Sequence, residues 1–191
     1  MLECCLYDVR CRLSFLFPAT VIVLLWFDPV GTTVLCLLAS LIHELGHLTA
    51  MLCLRDRPAC VTLGVFGMRI ERRPTQRLSY RSLCAVSLAG PLANVVCAVV
   101  LSGEAATVHT VLAVLHLLPV TSLDGGEALY ALLCCRLSEE RAERVLLICS
   151  VTVIVPLTVA GVYLLFGGGY NYTLLMLAIY LILRMFLRRG H

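Results

Sequence analysis

The sequence predicts an all-α polytopic membrane protein of about six transmembrane helices, with a short β-prone hairpin or strand after helix two. Three observations predict it. First, 60% of the 191 residues are hydrophobic and 14% are charged, whereas soluble domains run near half and near a quarter. Second, the apolar residues fall into six runs, at about 13–27, 30–54, 82–101, 105–135, 145–166 and 170–187. Most match the roughly 20 residues that a helix needs to cross hydrocarbon. Third, the charges are sorted between those runs. The mean hydropathy of +0.95 excludes both an ordinary soluble domain and a disordered chain. No room remains for a separate soluble domain, so 1–191 reads as one integral membrane domain.

The runs can be taken in order. The first is short enough to pass for a signal peptide. Asp28-Pro29-Val30-Gly31 offers no small-x-small cleavage site, however, and Trp26 stands where an interfacial anchor belongs. It is therefore kept as a span. All fifteen basic residues are arginine, and lysine is absent. Arg10 and Arg12 precede span one, and Arg55, Arg57, Arg69, Arg72, Arg73, Arg77 and Arg81 lie between spans two and three. Arg136, Arg141 and Arg144 follow span four, and Arg184, Arg188 and Arg189 end the chain. With six spans every arginine lies on one side of the membrane. The positive-inside rule then makes this a multi-pass protein of the cell membrane with both termini cytoplasmic.

The one long loop, residues 55–81, contains a β-prone stretch from Val61 to Ile70, interrupted by Gly64 and Gly67. A hairpin or extended strand competes there with an irregular loop. Gly167-Gly168-Gly169 reads as a tight outer turn. Eleven cysteines, mostly inside apolar runs (Cys36, Cys53, Cys84, Cys97, Cys149), read as small buried hydrophobes in a reducing compartment. No CxxC pair suggests a thiolate metal site, and Cys4-Cys5 and Cys134-Cys135 lack ligand spacing.

Ionisable groups inside spans are costly and point to function. Span two carries His43-Glu44-Leu45-Gly46-His47. Four residues correspond to about 400° of helical rotation, so both imidazoles lie on one face, one turn apart. That spacing suits two nitrogen ligands on one metal ion. Glu44 points about 100° away, near the ion but not on it, where it can take a proton from water on the metal. A plainer reading is a polar cluster hydrogen-bonded between helices. Three polar side chains within five residues of a hydrocarbon span favour the metal.

A catalytic zinc takes three protein ligands and an open position. The other histidines are His109, His116 and the terminal His191. Among carboxylates, Asp124 stands out, within Leu123-Asp124-Gly125-Gly126-Glu127 of span four. His43 lies 12 residues before Arg55, and Asp124 lies 12 residues before Arg136. At 1.5 Å per residue both sit about 18 Å deep, if helical throughout. Asp124 could equally cap a broken helix, and the two roles are compatible. Pro119, Gly125 and Gly126 suggest local unwinding, tolerated at depth only where protein or water lines it. In span three, Ala89-Gly90-Pro91-Leu92-Ala93-Asn94 reads either as a kink with close-packed small residues or as Asn94 placed beside the site to donate to a substrate carbonyl or oxyanion.

Together these motifs resemble the site-2 protease family of intramembrane zinc metalloproteases. The order and spacing of His43-Glu44-Leu-Gly-His47, Gly90-Pro91-x-x-Asn94 and Leu-Leu-Pro119…Leu-Asp124-Gly125-Gly126 carry the resemblance, which covers spans two to four. The arrangement is similar to the compact bacterial branch that includes the sporulation enzyme processing a pro-sigma factor. The resemblance implies Zn2+ held by His43, His47 and Asp124, with Glu44 as general base and Asn94 close to the site. It also implies that the stretch after span two receives substrate as a membrane-associated strand, through Val61, Leu63 and Val65. The implied partners are the lipid bilayer and a membrane-protein substrate with a transmembrane or membrane-associated segment, with no nucleic acid.

Family members commonly have Asn where this chain has His116, and a second Pro where it has Ser122. His116, eight residues before Asp124, could touch a ligand, gate the site, or close it as a fourth ligand. No PDZ insertion and no C-terminal nucleotide-sensing CBS domain are expected. The rival reading is a catalytically silent member of the fold, acting as a membrane scaffold or client-helix binder. Glu44 argues against that rival and His116 mildly for it. A zinc carrier would need a polar path, which spans five and six lack. A di-iron oxidase would need more than five histidines, and no GxSG serine with a paired histidine supports a serine protease.

Overall fold

The computed structural model describes residues 2–6, 9–13, 16–28, 31–55, 58–64, 67–72, 79–166 and 172–189, with side chains over 18–28, 31–55, 79–166 and 172–186. Seven helices and four strands are found among them, in two compact units, Met1–Val114 and Leu115–His191.

The first unit begins with strands β1 (Leu2–Leu6) and β2 (Val9–Leu13), followed by α1 (Leu16–Trp26). Helix α2 (Thr32–Cys53) is followed by strands β3 (Pro58–Gly64) and β4 (Gly67–Arg72), then α3 (Tyr80–Val100). The strands form one sheet in the order β1-β2-β3-β4. β1 and β2 pair antiparallel, β2 runs parallel to β3, and β3 pairs antiparallel with β4, placing Val61 opposite Ile70. The sequence reading assigned no element before span one. Yet Val9, Cys11 and Leu13 alternate with Arg10 and Arg12, the period of a strand. Val65 and Gly167–Gly169 lie outside the described residues.

Local chemistry sets the helix ends. Gly31 precedes α2 with φ +82°, a left-handed turn that suits glycine. The Asp28 carboxylate accepts from Gly31 N (3.0 Å) and from Thr33 N, covering amides that a helix start leaves without partners. Ser79 caps α3, its hydroxyl accepting from Ser82 N at 3.2 Å. The helix therefore starts two residues before the apolar run. α2 and α3 approach closely at Gly46, where an added Cβ would stand 2.6 Å from the Ala89 carbonyl oxygen. Small residues at helix crossings in a membrane allow this approach.

Helix α4 (Gly103–Leu117) follows α3 and opens on Gly103, which has φ +66°. The run 105–135 was expected as one span, but it is two helices. α4 ends at Leu117, residues 118–123 are non-helical, and α5 covers Asp124–Cys134. Pro119 explains the break, because the residue before a proline is pushed out of the α region and the ring cannot donate to the helix ladder. Then come α6 (Glu139–Phe166) and α7 (Thr173–Arg189). α6 begins six residues before its apolar run, with Glu139 and Glu140 in a first turn that favours negative charge. In the second unit Val120, Leu123, Ile154 and Leu181 form a buried core joining the break to α6 and α7.

Among the described residues three helices are long and apolar enough to cross a membrane: α2, α3 and α6. Helix α1 has 11 residues, only about 16 Å of rise, and α4 and α5 have 15 and 11. Large apolar side chains face outward on the long helices, among them Val99, Val100 and Phe166. This surface suits lipid as solvent. Of the described cysteines only Cys84 is buried, and Cys36 and Cys53 are exposed.

Candidate metal centre

The site begins on α2. His43 and His47 project from the same face, as their spacing requires, with His43 only 3% exposed. Their Nε2 atoms lie 3.1 Å apart and the rings meet nearly edge to face. The Val86 carbonyl accepts from His47 Nδ1 at 2.8 Å. A carbonyl can only accept, so the His47 proton sits on Nδ1 and its Nε2 lone pair faces His43. This is how metal-binding histidines are commonly fixed, with the second ring nitrogen donating to a backbone carbonyl.

Helix α3 is shaped around these rings. A Cβ at Gly90 would fall on the His47 imidazole. Pro91, inside α3, has no N–H to donate to the Ser87 carbonyl, and this loosens the helical ladder beside Val86. One turn further on, Asn94 is fully buried. Its Nδ2 lies 3.1 Å from His43 Nδ1, and its Oδ1 lies 2.8 Å from Nδ1 of His109 on α4. His109, 4% exposed, is the residue that the sequence reading named but gave no role. Its signal was available, since an ionisable group in an apolar helix is a functional candidate wherever it occurs.

The second unit places Asp124 at the start of α5, after Leu123 in extended conformation (φ −116°, ψ 162°). Leu123 is the N-cap and has no side chain able to cap, so the aspartate does not fill that position. Asp124 Oδ2 instead accepts from His116 Nδ1 at 2.7 Å. The segment 118–123 folds tightly over the start of α5. A Cβ at Gly125 would strike the Leu117 and Leu118 carbonyls, and one at Gly126 would strike Val120. Ser150 of α6 anchors the segment. Its hydroxyl accepts from Thr121 N at 2.9 Å, donates to Leu146 O at 2.8 Å, and meets the Thr121 hydroxyl at 2.8 Å. Arg184 of α7 donates to Ser122 O at 3.4 Å.

His43 and His47 of the first unit offer two imidazole donors, and Asp124 of the second offers a carboxylate. Two imidazoles and a carboxylate match the ligand type of catalytic metal sites with three protein donors. The two Nε2 atoms, 3.1 Å apart, are near enough for both imidazoles to serve one ion. Glu44, between the two histidines in sequence, is half-buried.

No protein-family model matches the chain, and no curated protein matches it. Among solved structures it is similar to the site-2 protease from Methanocaldococcus jannaschii, with a TM-score of 0.67 over 96% of this chain and 93% of that one. The two are 14% identical, and the chain shares that fold.

Proposed function

We propose that this chain is an intramembrane zinc metalloprotease that hydrolyses a peptide bond within or near a transmembrane segment of a membrane-bound protein. One observation carries the reading: two imidazole Nε2 atoms face one another 3.1 Å apart at a buried point of an apolar helix, with the proton of one ring held away by the Val86 carbonyl. The shared fold supports it. His43, His47 and Asp124 are the proposed ligands, and the whole chain is taken to serve as one protease domain.

A zinc ion held there would supply Lewis-acid polarisation of the scissile carbonyl and would acidify water. The chain's own groups do the rest. Glu44 accepts the proton of the attacking water and passes it to the leaving amine, so that no charged amide nitrogen has to depart. His116 donates to Asp124 and fixes the direction of that carboxylate. Asn94 holds the orientation of His43. The substrate must present its bond extended, because helical carbonyls are screened by their own hydrogen bonds. Val61 and Leu63 lie on β3, whose two edges are taken by β2 and β4, so the edge strand β4 (Gly67–Arg72) would hold that segment by main-chain pairing in place of the expected Val61, Leu63 and Val65. In the membrane we propose six spans, with α4 and α5 together making the fourth, both termini cytoplasmic and all arginines on that side.

The test is zinc per chain in detergent-purified protein, wild type beside Asp124→Ala. One zinc in the wild type, lost or greatly weakened in the variant, supports the reading. A well-folded wild type without zinc overturns it. Zinc retained in full by Asp124→Ala would move the third ligand elsewhere.

A further inference from the structure

We infer that His109 is a positioning residue for the metal centre, holding His43 in its ligand tautomer through the Asn94 amide. The inference rests on the metal-centre reading above and extends it to a residue on another helix. His43, Asn94 and His109 form a continuous buried chain, 3%, 0% and 4% exposed, linked at 3.1 Å and 2.8 Å. A buried histidine requires a reason to be in an apolar helix, and the chain of hydrogen bonds supplies one.

The chemistry of the three groups constrains them jointly. For Nε2 of His43 to offer its lone pair to a metal, the ring proton must sit on Nδ1. Nδ1 then donates, and the Asn94 atom facing it must be the amide oxygen. A half-turn of the amide exchanges its two ends, so the amide nitrogen then faces His109. Nδ1 of His109 must accept, with its own proton on Nε2. An imidazole meets this demand because its two neutral tautomers exchange donor and acceptor. An apolar side chain at 109 would leave one end of a fully buried amide without a partner. The amide would lose its preferred orientation, and His43 would lose its hold on the ligand tautomer. Outer partners of this kind typically change metal affinity by about 10–100-fold when removed.

The experiment measures zinc affinity of the full chain in detergent by chelator competition, for wild type, His109→Phe and His109→Gln. It adds 15N NMR of the histidine rings in zinc-loaded wild type. His109→Phe keeps the volume and removes the hydrogen bond, and its affinity should fall by about 10–100-fold. His109→Gln carries an amide that can turn to accept or donate, and it should stay within a few-fold of wild type. The NMR spectrum should show His109 Nδ1 unprotonated. Wild-type affinity in His109→Phe overturns the inference. So does a loss in His109→Gln as large as in His109→Phe, because the ring would then act as bulk alone. A protonated Nδ1 on His109 in the zinc-loaded protein overturns it without any variant. A wild type that binds no zinc fails the metal-centre reading itself, and is seen before the variants are compared.

Discussion

The space at Gly90 is filled by the imidazole of His47: a Cβ added to the glycine would coincide with the ring's Nε2 edge. The ring has no retreat, since Val86 holds its Nδ1 and His43 meets its Nε2. Gly90→Ala should therefore displace a proposed ligand while leaving the helix intact. Overpacking of this kind costs about 1–3 kcal/mol, equivalent to about 5–150-fold in affinity. Chelator competition reads the loss, and circular dichroism should be unchanged. Wild-type zinc affinity in Gly90→Ala would show that the Nε2 of His47 is not used.

Glu44→Gln separates chemistry from binding. The amide keeps the size of the carboxylate and its place between the two histidines, so zinc per chain should stay at the wild-type value. It cannot accept a proton, and general-base catalysis contributes typically 10²–10⁴-fold. Cleavage of a membrane substrate reconstituted with the protein should fall by about that factor. Cleavage at the wild-type rate would remove Glu44 from the mechanism. The same variant separates a protease from a scaffold that merely holds a client helix, whose binding would survive unchanged.

Ser150→Ala tests how the Asp124 segment is anchored. One buried hydroxyl accepts from the Thr121 amide and donates to Leu146. Without it the Thr121 amide loses a partner at the break between α4 and α5, at a cost of about 1–3 kcal/mol. Thermal unfolding in detergent should show a lower Tm. Because Asp124 starts the helix that this segment leads into, zinc affinity should fall as well. A lowered Tm with unchanged affinity would separate the anchor from the metal centre.

The parts of this fold differ in how legible they were. The histidine pair was legible because its chemistry depends only on helical spacing, and a helix of 22 residues delivers that spacing faithfully. The interruption near Asp124 was legible through Pro119, Gly125 and Gly126. Its extent was not, because an apolar run reads the same whether it is one helix or two. The strands before α1 were missed because five alternating residues next to an apolar run give too short a period to stand out from it. His109 was missed because a lone histidine has no spacing to read, and its meaning comes from Asn94, fifteen residues away on another helix.

His116 is where this chain departs from the resemblance, and its geometry makes a sharp prediction. Its Nδ1 donates to Asp124 Oδ2 at 2.7 Å, and the two side chains are 28% and 21% exposed. A donor bonded to one carboxylate oxygen limits rotation of the carboxylate and so fixes the direction in which it can ligate. The role demands one N–H at the right reach, which an asparagine amide also offers. His116→Asn should therefore retain zinc affinity within a few-fold, whereas His116→Ala should weaken it by about 10–100-fold. The comparison also decides between support and ligation. If the imidazole of His116 were itself a ligand, asparagine would be as poor a replacement as alanine, and both variants would lose zinc together.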